Sequence, residues 1–178
     1  QNRIVNFLDA LRAVEPDQYF YQPTALHVTV LSLFTASEQH ERFSAAAGDC
    51  KAAIEAALAD APAFAIEFRG ITTSPGAILI QGFPAGATLK NIRARLRSEL
   101  LDRGLSKGVD SRYRVITAHI TVMRFRKRPS DSQRLMTTLE SYRQESFGVS
   151  QIRELSLVQN DWYLTPETVT TLSRYPLP

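Results

Sequence analysis

Apolar positions along the chain switch between helical spacing and strand-like runs, and the order of the switches occurs twice. Ile4, Phe7, Leu8, Leu11 and Val14 fall three and four residues apart, which predicts an amphipathic helix closed by Pro16. Ala25 to Phe34 reads as a strand. Helical spacing returns at Phe43, Ala47, Cys50, Ile54, Ala57 and Leu58 and stops before Pro62. Strands at Phe64 to Phe68 and Ala77 to Phe83 follow, joined through Ser74-Pro75-Gly76. After Pro84 and Gly86 the pattern restarts. Leu89, Ile92, Leu96 and Leu100 predict a helix stopped near Gly104, and Thr117 to Phe125 a strand. A weaker helix around Leu135, Leu139 and Tyr142 then leads to strands at Ile152 to Gln159 and Val169 to Leu172.

Each half therefore reads helix, strand, helix, strand, strand, an internal repeat of about 1–84 and 85–178. Two such units have too little apolar face to stand apart. The expected fold is one bilobal α+β domain over residues 1–178, with two pseudo-symmetric units and facing antiparallel sheets. Composition agrees: 44% hydrophobic and 22% charged residues over 178 positions exclude a disordered, collagenous or coiled-coil chain. No apolar run reaches membrane-spanning length, so no membrane partner is expected. The single cysteine, Cys50, falls on an apolar helix stripe and suits a reducing compartment, so a cytoplasmic location is expected. Gln1 is not an initiator methionine, and any targeting segment upstream lies outside this reading.

Charge is unevenly placed. Between Arg103 and Arg128 stand eight basic residues and one acid, Asp110, so this segment carries +7 of a net +3 and leaves −4 for the rest. The segment reads either as a polyanion-binding surface or as a solvated loop.

Two of the three histidines share a context. His27 lies in Leu26-His27-Val28-Thr29-Val30 and His119 in Ala118-His119-Ile120-Thr121-Val122, on the strand that holds the same place in each half. With 14 threonines in 178 residues, two of three histidines having Thr two positions on is a chance of about one in fifty. On a strand alternate side chains share a face, so each motif presents an imidazole and a hydroxyl together and turns its apolar neighbours the other way. A lone strand histidine is usually a buried group satisfied by a carbonyl, but two at equivalent repeat positions point to a shared cleft. His40, in the polar Ser37-Glu38-Gln39-His40-Glu41, lacks the threonine and reads as exposed.

Paired His-x-Thr-x motifs about ninety residues apart on a duplicated α+β chain resemble the two-histidine (2H) phosphoesterase superfamily, which includes 2′-5′ RNA ligase-like proteins and 2′,3′-cyclic nucleotide phosphodiesterases. The resemblance runs from the segment before His27 to the closing stretch Leu155 to Leu177. His119-Ile120-Thr121-Val122-Met123-Arg124 is similar to the second motif of the ligase-like branch, including its arginine. It implies a phosphodiesterase, without metal or cofactor, that opens a 2′,3′-cyclic phosphate on a nucleotide or RNA end, with 2′-5′ ligation as its reverse. His27 and His119 are the implied acid and base, since imidazole serves both roles near neutral pH. Thr29, Thr121 and Arg124 are the implied contacts to the phosphate oxygens. A monomer is expected.

Two placements stay open on sequence. A straight strand would put Arg124 on the face opposite His119, so a phosphate role needs the strand to bend or end near Met123. Tyr19, Phe20 and Tyr21, like Trp162 and Tyr163, either stack on a base or pack in the core. The competing reading of the whole chain is an RNA- or nucleotide-binding module that uses the same cleft without turnover; a complete acid and base pair favours catalysis over it.

Overall fold

The computed structural model describes residues 2–33, 40–105, 117–161, 163–165 and 167–178, without the side chains of 40–45. Its elements are α1 (Asn2–Val14), β1 (Tyr19–Phe20), a 3-10 turn (Pro23–Ala25), α2 (His40–Leu58), β2 (Phe64–Ser74), β3 (Ala77–Pro84), α3 (Thr88–Asp102), β4 (Ala118–Arg124), α4 (Ser132–Ser141), β5 (Ser146–Ile152), β6 (Glu154–Gln159) and β7 (Thr170–Pro176). Helices and antiparallel strands are thus mixed, as an α+β class requires. The helices begin and end where local chemistry dictates. Asp131 accepts the Arg134 N–H at 2.9 Å and caps α4. Past α3, Gly104 takes a φ of +72° while Leu105 N–H reaches Leu100 O at 2.7 Å and Gly104 N–H reaches Leu101 O at 2.9 Å, a Schellman ending.

The chain forms two compact units. The first comprises residues 1–28, 66–83 and 117–150 and the second residues 29–65, 84–116 and 151–178. These units are not the two repeat halves, because each gathers three stretches from both sides of Pro84. The first unit holds the five-stranded sheet, in the order β1-β4-β3-β2-β5, with β1, β2 and β3 from the first half and β4 and β5 from the second. Pro75 and Gly76 make the tight turn between β2 and β3. Phe7 of α1 lies 4.6 Å from Tyr142 and 5.6 Å from Phe147 of β5, centroid to centroid. With Leu8, Leu11, Ile66, Ile78, Ile80, Val122 and Met123, all essentially without exposure, these residues are the core of this unit.

The second unit pairs α2 with α3 and adds the β6–β7 ladder, with α2 against β7. Cys50 is buried on α2, where burial, assisted by Asp49, raises the thiol's pKa; this is a packing cysteine.

Three expectations from periodicity are corrected. Ala25 to Phe34 is not a ladder strand: Ala25 ends the 3-10 turn begun by Pro23, and among the described residues of this stretch the one β contact is a single bridge from Val28 to Ile120. Phe34 itself lies outside the described residues. A strand that the pattern did not show, β5, closes one edge of the sheet; only Phe147 of its seven residues is buried, so it carries no apolar alternation. The sheets also do not divide by repeat half, as the strand order shows.

Candidate active site

The bridge between Val28 and Ile120 decides how the two His-Thr motifs face. Residues directly opposite in an antiparallel bridge share a face, and their chain neighbours lie on the other. Val28 and Ile120 therefore point together, and His27 and His119 both lie on the opposite face. Along β4 the burial agrees, with Ala118 and Ile120 buried and His119 and Thr121 half-buried.

Arg124 joins them because β4 is not regular. Against β3, Ile80 pairs with Ile120 and Leu79 with Thr121, but Ile78 pairs with Met123, so Val122 is an extra residue on β4. A bulge of this kind shifts the alternation by one. Val122 and Met123 are consequently both fully buried, and Arg124, opposite Ala77, returns to the face of Thr121 and His119. The alternation is thus broken by a bulge one residue before Met123, not carried through by a straight strand.

The three aromatics ahead of the first motif separate. Tyr19 lies opposite Arg124 and is half-buried, with the Arg126 guanidinium 5.1 Å from its ring centroid. Phe20 lies opposite Met123, on the other face, where Arg12 of α1 stands 5.1 Å from its ring. Tyr21 is fully buried, its N–H donates to Val122 O at 3.1 Å, and its hydroxyl accepts from Arg124 Nε at 2.7 Å. That burial leaves Tyr21 no face for a base, and Phe20 faces away from the histidines; of the three, Tyr19 alone offers a half-exposed ring on the histidine face. Trp162 lies outside the described residues, and so do Lys107, Arg112 and Arg114 of the basic segment. Arg103 of that segment is paired with Glu99 and Lys127 with Asp17.

Hydrogen bonds orient both rings. His27 Nδ1 donates to Ala25 O at 2.9 Å, so in the neutral ring the acceptor nitrogen is Nε2. Its ring stands edge-on to Tyr21, 6.2 Å away by centroids. His119 Nδ1 lies 3.4 Å from Thr117 Oγ1. Thr29 opens the second unit, where its carbonyl and that of Val30 accept 2.9 Å bonds from the buried Arg93 of α3. Burial, with Arg97 nearby, lowers the pKa of Arg93 from the ordinary guanidinium value. His40 begins α2, and its side chain lies outside the described ones.

The loop after β4 carries Arg126, Lys127 and Arg128 and is held from below. Glu15, 1% exposed, accepts from Ser130 Oγ at 3.2 Å, from the Asp131 N–H at 3.1 Å and from Gln18 Nε2 at 3.3 Å. Gln18 also accepts the Arg126 N–H at 2.9 Å and donates to Lys127 O at 3.3 Å. Burial on its own would raise the Glu15 pKa; the hydrogen bonds from Asp131, Ser130 and Gln18 outweigh it and hold the carboxyl below the usual glutamate value. Among the described residues, no three His, Cys, Asp or Glu side chains cluster as a metal ligand set would, and no helix is long and apolar enough to cross a membrane.

A family model described as the 2′-5′ RNA ligase superfamily matches residues 1–161, most of the chain. The chain belongs to the 2′-5′ RNA ligase superfamily. Phosphodiester chemistry on RNA is what this superfamily is named for. No curated relative matches the sequence. Its fold is similar to that of TT0787 of Thermus thermophilus, with a TM-score of 0.68 at 18% identity over 99% of this chain and 92% of that one. It is also similar to Escherichia coli LigT, solved in complex with 3′-AMP, with a TM-score of 0.56 at 16% identity over 99% and 92% of the two chains. A further solved phosphoesterase gives 0.59 at 16% identity over 99% and 93%.

Several residues that hold these segments in this superfamily member escape sequence reasoning. Glu15, Gln18 and Arg93 are ordinary helix-surface types until their burial is known, and nothing in their spacing marks them. Thr117 could have been noticed, because it stands two residues before His119 and so shares its face on a strand.

Proposed function

We propose that this chain is a phosphodiesterase that opens a 2′,3′-cyclic phosphate on a nucleotide or RNA end by acid and base catalysis from His27 and His119. The observation that carries the reading is the Val28–Ile120 bridge, which supports both imidazoles on one face of one sheet. In the hydrolytic direction one imidazole takes a proton from water as its oxygen attacks phosphorus. The other, as imidazolium, gives a proton to the departing ribose oxygen. Charge builds on the non-bridging oxygens, where Thr121 and Arg124 are assigned as donors from the same face and Thr29 is assigned the matching role after His27. With the 5′-hydroxyl of a second ribose in place of water as the attacking oxygen, and the 3′-oxygen leaving with the proton from the acid, the same two proton transfers give a 2′-5′ linkage. The likeness to LigT, seen with 3′-AMP, adds a mononucleotide bearing a ribose phosphate as a fitting occupant.

The test is turnover of 2′,3′-cyclic mononucleotides and of RNA ending in a cyclic phosphate, followed by phosphorus NMR. Ring opening to a single monoester isomer is expected. Binding of these substrates without any ring opening would replace the reading by that of a non-catalytic binding module.

A further inference from the structure

We infer that Tyr21 is a positioning residue for this site, which holds the Val122 bulge and the Arg124 guanidinium in the arrangement that sets the arginine on the histidine face. The inference rests on the phosphate-binding role proposed for Arg124. Tyr21 meets the second motif twice: its N–H donates to Val122 O at 3.1 Å, and its hydroxyl accepts from Arg124 Nε at 2.7 Å. The guanidinium carbon lies 5.8 Å from the Tyr21 ring centroid, and the same ring stands edge-on to His27 at 6.2 Å and to Tyr19 at 5.3 Å. One fully buried side chain thus touches the catalytic group of the first motif and the arginine of the second. Packing alone would be served by phenylalanine. The hydroxyl adds a charge-assisted bond at Nε, and that bond fixes the plane of a guanidinium otherwise carried on a flexible stem.

The test is a double-mutant cycle of Tyr21→Phe and Arg124→Ala, read by kcat/KM on a 2′,3′-cyclic nucleotide and by titration with inorganic phosphate. Tyr21→Phe keeps the ring and is expected to lower both kcat/KM and phosphate affinity about tenfold, the scale of one bond to a charged group. In the Arg124→Ala background the same change should have no effect. Unaltered phosphate binding by folded Tyr21→Phe overturns the inference, and so does an equal loss with and without Arg124, which marks a purely structural role. A wild-type protein that binds phosphate but opens no cyclic phosphodiester sinks the hydrolytic reading alone, because the phosphate titration still decides on Tyr21. A wild type that binds no phosphate overturns both. Should Tyr21→Phe fail to fold, the Arg124 Nε–H signal of the wild type decides: protection from solvent exchange is expected, and fast exchange refutes the inference.

Discussion

Removing the charge from Glu15 tests whether the basic loop after β4 is held by a buried carboxylate. Three donors converge on that carboxylate: Ser130 and the Asp131 N–H on one oxygen, and Gln18 on the other. Glu15→Gln can keep its carbonyl oxygen under the first two, but it then turns an NH2 group toward the Gln18 NH2 group. One bond to a charged acceptor is lost and two are weakened to neutral ones, an expected cost of about 1–3 kcal/mol. Glu15→Ala strands all three donors, and about 3 kcal/mol or more is expected. The pH dependence has a definite sign. The folded carboxyl has a pKa below its usual 4.5, so its contribution is fully present above about pH 4.5 and is lost as pH falls through the folded value. Urea unfolding of wild type and Glu15→Gln, followed by circular dichroism from pH 7 down to about pH 3, should give curves that differ most at pH 7 and converge in acid. A stability gap that stays constant over that range, or no gap at pH 7, would refute the reasoning.

His27→Ala and His119→Ala should each lower turnover of a cyclic nucleotide about 10²- to 10⁴-fold with unchanged far-UV circular dichroism, while His40→Ala does little; near-normal turnover of either of the first two sinks the acid and base assignment. Turnover should survive EDTA, since both proton transfers and the oxygen contacts are assigned to side chains; loss of rate restored by one divalent ion would point to a site overlooked. The rate should be bell-shaped in pH, its limbs belonging to the coupled pair, and should reduce to one limb in each histidine variant with measurable activity; a flat profile between about pH 5 and 9 argues against two titrating groups. Arg93→Met strips the Thr29 and Val30 carbonyls of their shared donor and should cost about 1–3 kcal/mol in thermal or urea unfolding; an unchanged midpoint would show that water replaces it.

The long amphipathic helices were legible because burial on one side forces helical spacing on Leu89, Ile92, Leu96 and Leu100 and on Phe7, Leu8 and Leu11. The His-Thr pairs were legible because their spacing matches strand alternation. The segment around His27 was misread as a full strand: its β-branched run satisfies the strand pattern, yet Pro23 and the turn it starts leave room for a single bridge. β5 was invisible because an edge strand with Gly148 at a φ of +101° and one buried side chain has no pattern to read. The interleaving of the halves escapes any local reading, since it depends on β3 of one half pairing with β4 of the other.

The bulge at Val122 separates what a sequence spells from what a surface displays. Counting along an unbroken strand, an arginine three places after a threonine belongs on the wrong side, and one two places after belongs on the right side. Here the odd residue is taken up out of register, with its carbonyl tied to the Tyr21 N–H. A shortened strand without Val122 would set Thr121, Met123 and Arg124 against Leu79, Ile78 and Ala77 in plain alternation and show the same His119, Thr121 and Arg124 on one face. Thr-x-Arg and Thr-x-x-Arg are then two spellings of one word, told apart by whether a neighbouring strand supplies the donor that holds the extra letter.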